Sequence, residues 1–488
     1  MEDLPEALFA EVIKRITRTS DLNSLSLVSK QLYKTEADQR SAIRVGCGLC
    51  PATEALVSLC TRFRNLHKVE IDYSGSVANH GNQLDNKGLF VFSSHCLLLT
   101  SLSLSFCSNI DDSGLGYLAN FNKLASLRLD STPNITSRGL LAVAVGCKSL
   151  SALHLNDCQS ICSKDWLEYL GYDGSLEELI VKNCDGISQD DFMKFGPGWM
   201  KLQKFVFEIN DRFFVNSYLA YEGYDPSYNA HSPNMYDIFC ESLKDLSLAC
   251  IEIATGKGLR FLLGRCKALE KLCLEYVRGL NDNDMIALSQ SCNNLKSISL
   301  WLDPQFYARS YRTAFTDKSL KALALSCPML ETVELTFAGC APEYPSEIGF
   351  TQEGLVVLIQ SCPIRVLVLN GANFFDAEGM EAVSCAPYLE TLELVDCEEV
   401  TDAGMRFIAR TPCLINLTIR LCGDVTDVGV AELVQAQKLE SLIIEGCPRV
   451  SLQAVKGIAR SVQYSVKCAS AGHLNRKFHK NSSVLDLL

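Results

Sequence analysis

A stretch of 25 residues, LETLELVDCEEVTDAGMRFIARTPC at 389–413, is followed directly by two copies of the same pattern. The copies are LINLTIRLCGDVTDVGVAELVQAQK at 414–438 and LESLIIEGCPRVSLQAVKGIARS at 439–461. Each copy begins L-x-x-L-x-L-x-x-C, has a Thr or Ser about twelve residues on, and then shows apolar residues at helical spacing. The alternating apolar residues predict a short strand, and the Thr or Ser predicts a capped helix start.

A repeat of this length and pattern is typical of leucine-rich repeats. One repeat cannot bury its own apolar face, but stacked repeats share a continuous core. The sequence therefore predicts an α/β solenoid: a leucine-rich-repeat horseshoe of about 14 strand–helix units, with a parallel sheet on its concave face. The predicted strands start at Leu66, Leu99, Leu124, Leu150, Leu176, Leu202, Leu243, Leu269, Leu295, Leu330, Ile364, Leu389, Leu414 and Leu439.

Four spacings exceed the basic period, and the extra residues fall at 72–84, 208–231, 301–314 and 337–349. Each insert lies between a strand and its helix, so all four are expected at one edge of the horseshoe. Two inserts are rich in Tyr, Trp and Arg, which are enriched at interaction hot spots. We expect substrate binding there, although packing of the loops onto the solenoid edge is an alternative. The expected substrate-binding residues are Phe213, Tyr218, Tyr221, Tyr224, Trp301, Phe306, Tyr307, Arg309, Tyr311 and Arg312.

Residues of the predicted concave face carry twelve acids against six bases. This favours a partner with some basic character, unless the face is only solvated. The net charge of −12 argues against nucleic-acid binding and against anionic membrane surfaces. The start MEDLPEALF has acids where a secretory signal would carry basic residues, so the expected compartment is cytoplasm and/or nucleus.

The 23 cysteines fall mostly at two repeat positions, one after the strand and one at the end of the helix. We expect reduced, buried cysteines that pack as small apolar side chains. Cys47 and Cys50 form the only C-x-x-C, with no second pair, so no metal site is expected. Catalytic patterns such as G-x-S-x-G and H-E-x-x-H are missing from the sequence, and neither catalysis nor a cofactor is expected.

Residues 1–44 lie outside the repeat and have apolar residues at helical spacing. Two or three short helices are expected there, with Ser20 or Asp21 starting the second. Residues 45–65 are interpreted as a linker and the helix of an incomplete first repeat, 66–460 as the solenoid, and 461–488 as a C-terminal cap and tail. A plain amphipathic cap for the solenoid is one reading of residues 1–44.

Leu4-Pro5, Leu8, Ile16, Leu22 and the run LSLVSKQLY at 25–33 resemble an F-box. With the cysteine-containing repeats, the chain resembles the F-box/leucine-rich-repeat proteins, particularly those of plants. Two features depart from the commonest form: Leu32-Tyr33 stands where many members have Trp-Arg, and the segment from Ile16 to Leu22 is one residue longer.

The resemblance implies a non-catalytic substrate-recognition subunit of an SCF-type (Skp–cullin–F-box) E3 ubiquitin ligase. The F-box would bind a Skp-type adaptor and, through it, cullin and RING subunits, while the repeats hold a protein substrate for ubiquitination and degradation. A small-molecule (hormone-like) co-receptor of the same family and a ubiquitin-independent scaffold are alternatives. The motif positions expected to contact the adaptor are Leu4, Pro5, Leu8, Ile13, Ile16, Leu22, Leu27, Val28 and Leu32.

Overall fold

A computed structural model describes most of the chain as two compact units, Met1–Leu243 and Lys244–Leu488. Within them, the residues that the structure describes are 6–16, 18–46, 52–75, 83–184, 187, 199–209, 240–251, 263–277, 280–302, 315–337 and 349–467.

The first unit begins with three helices and continues as strand–helix repeats. The helices are α1 (Glu6–Lys14), α2 (Thr19–Ser26), α3 (Lys30–Gln39), α4 (Ala52–Arg62), α5 (Asn86–His95), α6 (Asp112–Gly116), α7 (Ser137–Gly146) and α8 (Asp165–Asp173). The strands are β1 (Ala42–Gly46), β2 (Lys68–Asp72), β3 (Ser101–Ser105), β4 (Ser126–Asp130), β5 (Ala152–Asn156), β6 (Glu178–Lys182) and β7 (Lys204–Glu208). They pair in parallel in chain order.

The second unit has the same alternation. Its strands are β8 (Asp245–Ala249), β9 (Lys271–Glu275), β10 (Ser297–Leu302), β11 (Thr332–Phe337), β12 (Val366–Asn370), β13 (Thr391–Val395), β14 (Asn416–Arg420), β15 (Ser441–Glu445) and β16 (Ser461–Ser465), again parallel and in chain order. Its helices are α9 (Asp282–Ser291), α10 (Asp317–Ser326), α11 (Gln352–Ser361), α12 (Ala377–Ser384), α13 (Asp402–Ile408), α14 (Asp427–Glu432) and α15 (Leu452–Val455).

The predicted fold class, an α/β leucine-rich-repeat solenoid, is confirmed in each unit. All fourteen predicted strand starts precede a strand, β2 to β15, by two residues. Two further strands were not predicted. β1 spans the expected boundary at residue 44 and pairs with β2, and β16 lies in the expected tail and pairs with β15.

The aspartates at the helix starts connect successive repeats. Asp402, at the start of α13, accepts hydrogen bonds from the backbone N–H and the hydroxyl of Thr426 in the next repeat, at 2.8 and 2.6 Å. Asp317 contacts Thr351 in the same way. Gly429 follows Thr426 by three residues, where a Cβ atom would overlap the Asp402 carboxylate. An aspartate at these helix starts therefore joins its helix to the start of the next one, as Asp427 also does through Ser451.

The turn after most strands adopts an unusual backbone conformation. Leu421, directly after β14, has a φ of 55°, and its N–H donates to the carbonyl of Glu445 in the next repeat at 2.9 Å. This left-handed conformation costs a non-glycine residue roughly 1–2 kcal/mol, so the bond to the neighbouring repeat helps to maintain it. Among the described residues it recurs at Phe106, Ser131, Asp157, Asn183, Cys250, Tyr276, Gly371, Asp396 and Gly446.

The packing role predicted for the cysteines is confirmed. The twelve cysteines at the two main repeat positions of the described chain are free and buried. The thiol of Cys292 donates to the carbonyl of Cys266 in the preceding repeat at 2.9 Å. Burial raises the pKa of Cys397 to about 12, so this thiol is neutral at physiological pH. Cys47 and Cys50 lie outside the described residues.

Candidate functional site

The three N-terminal helices form a small packed group in which α1 and α2 both contact α3. Its interior contains Phe9, Ile13 and Leu32, which are buried. The second predicted helix is in fact two, because Ser29 caps α3 by accepting a hydrogen bond from the Leu32 N–H at 3.1 Å. This break places Leu27 and Val28 in the turn between α2 and α3.

Four large apolar side chains of this helical segment are exposed. Leu27 is 86% exposed and Val28 68%, and Leu8 and Val12 on α1 are more than half exposed. An apolar side chain that stays in water forgoes about 1.5–3 kcal/mol of burial free energy. We call Leu8, Val12, Leu27 and Val28 the apolar helix surface.

The nine residues expected to contact an adaptor therefore divide into groups. Leu8, Leu27 and Val28 belong to the apolar helix surface, and Ile16 and Leu22 are half-buried. Ile13 and Leu32 are buried inside the helices, so they support the surface rather than form it. Leu4 and Pro5 lie outside the described residues. Of the two neighbouring apolar residues on α1, Ile13 is buried and Val12 is exposed.

The exposed sheet face of the first unit carries charges that largely neutralise one another. In β5 the first, third and fifth residues of the strand are half-buried and the second and fourth are buried, and the other strands of this unit follow the same alternation except β7, where Val206 at the third position is buried. The pKa of Asp72 is held below its usual value by the Ser74 N–H and by Arg44. The ion pairs on this face are Arg44–Asp72 at 2.6 Å, Lys68–Glu70 at 2.7 Å, Arg128–Asp130 at 2.6 Å, Lys204–Glu178 at 2.8 Å and Lys182–Glu208 at 2.9 Å.

The exposed sheet face of the second unit has fewer bases. Arg420 lies between two carboxylates, at 2.7 Å from Glu393 and 3.2 Å from Glu445. Among the described residues, Asp245, Glu275 and Glu334 have no ion-pair partner. The acidic excess predicted for the whole face is thus concentrated in this unit.

Trp301 is the one predicted substrate-binding residue that the structure describes. It is half-buried at the fifth position of β10, opposite Glu275 of β9, and its ring meets that of Tyr276 edge to face at 6.2 Å. Leu302 and Phe337 are register partners, so the inserts at 301–314 and 337–349 leave the sheet from neighbouring points. The other expected contacts lie outside the described residues: Phe213, Tyr218, Tyr221, Tyr224, Phe306, Tyr307, Arg309, Tyr311 and Arg312.

The described part of the chain has neither a membrane-spanning helix nor a cluster of metal ligands. Its helices include none that is long and apolar enough to cross a membrane. In the same residues, no three His, Cys, Asp or Glu side chains are grouped to hold a metal ion.

Comparison with known proteins identifies the repeats. A family model described as "Leucine Rich repeat" matches residues 95–119 and 385–409. Among solved structures, the chain is similar to one from the yeast complex of Rad7 and Elc1, with a TM-score of 0.48, 16% identity, and coverage of 96% of this chain and 94% of that chain.

Two further solved structures are similar. An internalin (inlF) from Listeria monocytogenes has a TM-score of 0.41 and 14% identity, with 87% of this chain and 93% of that chain covered. A structure of the TLR13–ssRNA13 complex has a TM-score of 0.40 and 13% identity, with 86% of this chain and 60% of that chain covered. The family match covers two short segments and agrees with the α/β leucine-rich-repeat solenoid observed in each unit.

Proposed function

We propose that this chain is a non-catalytic substrate-recognition subunit of an SCF-type ubiquitin ligase. In this proposal the apolar helix surface binds a Skp-type adaptor, and the repeats hold a protein substrate. The subunit acts by proximity, because it raises the effective concentration of the substrate near the ubiquitin-charged enzyme. The chemistry is done by other subunits.

The observation that supports this proposal most is the exposure of Leu27 and Val28. A helical cap that only covers the end of a solenoid would be expected to turn its apolar residues towards the repeats and its polar residues towards water. Here two of the apolar residues in the F-box-like run point outward, and Leu8 and Val12 of α1 are exposed as well. A surface of this kind favours a protein partner that covers it.

The test replaces Leu27 and Val28 with Ala and measures the affinity of a purified Skp-type adaptor. Interface hot spots contribute 2 kcal/mol or more, so we expect the affinity to fall by at least about tenfold. Leu325 on α10 provides a matched control, because it is the same residue type and is also 86% exposed. Leu325→Ala should leave adaptor affinity unchanged.

Two results would contradict the proposal. One is unchanged adaptor binding by the Leu27→Ala/Val28→Ala variant when both proteins are folded. The other is the absence of adaptor binding by the parent chain, which would leave the alternative of a ubiquitin-independent scaffold.

A further inference from the structure

The connection between the N-terminal helices and the first repeat is unusually short. Only Arg40 and Ser41 separate α3 from β1. The carbonyl of Ser41 accepts hydrogen bonds from the N–H groups of His67 and Lys68, at 2.8 and 3.0 Å. The Asn65 side chain also donates to the carbonyl of Asp38 at 2.8 Å. The chain therefore enters the sheet without a flexible linker.

A buried carboxylate lies at this junction. Glu36 on α3 is 0% exposed, and its two oxygens accept from different arginines. Arg40, directly after the end of α3, contacts Oε1. Arg62, at the end of α4 in the first repeat, donates to Oε2 at 2.7 Å. Arg40 also donates to the Asn23 side chain of α2 at 2.8 Å, so one cluster joins α2, α3 and α4.

Aromatic rings enclose the same guanidinium groups. The Arg62 guanidinium carbon lies 3.8 Å from the ring centre of Tyr33 on α3 and 4.7 Å from that of Phe63. The Arg40 guanidinium lies 4.8 Å from the Phe63 ring centre. A charge in such surroundings is costly unless it is paired, so each member of the cluster depends on the geometry of the others. A sliding of α3 along α4 would leave Glu36 with a buried, unpaired oxygen.

We propose that Glu36 is a positioning residue that, through Arg62, fixes the apolar helix surface relative to the first repeats. The surface and these repeats then move as one body. The functional consequence rests on the proposed function: a substrate held by these repeats would be presented at a fixed distance from the adaptor. Arg62 is neither on the apolar helix surface nor in the strand face, so its role differs from that of a contact residue.

The test measures the distance distribution between α3 and α5 by pulsed electron spin resonance. Spin labels are attached at Lys34 and Lys87, which are both exposed, through an encoded ketone amino acid that leaves the many cysteines unlabelled. The parent chain should give one narrow distribution. Glu36→Gln removes the negative charge at the centre of the cluster. Arg62→Leu removes only the contacts that α4 contributes and keeps the Glu36–Arg40 pair.

We expect Arg62→Leu to broaden the distance distribution at least twofold relative to the parent chain. The comparison requires that the two proteins have the same helix content. Glu36→Gln should broaden it as well if it folds. Asp72→Asn is the matched control, because Asp72 pairs with Arg44 at 2.6 Å in the same unit, but with an arginine that is largely exposed. It should leave the distribution narrow.

A broad distribution in the parent, or a narrow one in folded Arg62→Leu, would overturn the proposal. Purified Skp-type adaptor should bind parent and Arg62→Leu with affinities within about twofold. A tenfold loss in Arg62→Leu would make Arg62 a contact residue and also overturn the positioning role. If the adaptor binds neither protein, the proposed function fails, while the distance measurement still decides whether the junction is rigid.

Discussion

The repeats after Leu389 and the helices before Gln39 differ in how far their apolar residues are buried. In β13 and β14, Leu392, Leu394 and Leu417 are buried almost completely, each between a preceding and a following repeat. In α1 to α3, Ile13 and Leu32 are buried but Leu8 and Leu27 are exposed. A repeat has a neighbour on both sides, whereas the N-terminal helices contact repeats on one side only. The difference separates residues that build the fold from residues that are available to a partner.

The largest expected effect comes from removing a buried side chain of a repeat. Leu394→Ala should lower the free energy of local opening around β13 by about 2–5 kcal/mol, because the lost side chain leaves a cavity. Leu27→Ala should change the opening free energy of α2 and α3 by less than about 0.5 kcal/mol, because its side chain is in water. Native-state hydrogen exchange measures both values. Equal losses of opening free energy in Leu394→Ala and Leu27→Ala would contradict the proposed difference between the repeats and the N-terminal helices.

A smaller effect is expected from the aspartates that connect the repeats. Asp402→Asn leaves one oxygen for two donors of Thr426, which should cost about 1–2 kcal/mol in the opening free energy of α13 and α14. Asp424 is the control, because it pairs with Arg449 at 2.6 Å but both side chains are more than half exposed. Asp424→Asn should cost no more than about 0.5 kcal/mol. The same loss in both variants would show that the connection between repeats does not depend on these bonds.

Much of the fold could be predicted because the period of the leucines fixes the strand positions. The left-handed turns after the strands could not, since most are formed by residues other than glycine, such as Leu421 and Tyr276. Their conformation depends on a hydrogen bond to the next repeat, and no local sequence pattern indicates that bond. The role of the T-D-x-G aspartates was also missed, because a Thr-Asp pair at a helix start suggests capping of its own helix. The strand β1 was missed because its sequence, AIRVG, lacks the leucine pattern.

The candidate site was predictable only in part. The F-box-like spacing drew attention to Leu27 and Val28, but a spacing does not tell which apolar residues face inward, so Ile13 and Leu32 were grouped with them. The Glu36–Arg62 pair could not be found from sequence, because the two residues are 26 positions apart and follow no repeat. Among the residues expected to bind a substrate, the structure places Trp301 at the start of its insert. The expected contacts at 213–224 and 306–312 stay predictions.

Hydrogen exchange of the intact chain with and without a purified Skp-type adaptor tests the central claim most directly. If the adaptor binds the apolar helix surface, amides of α1 to α3, including the turn at Leu27–Ser29, should become protected from exchange when it is added. Amides of β13 to β15 should exchange at unchanged rates. Protection confined to the repeats, or no protection anywhere in residues 6–39, would contradict the account.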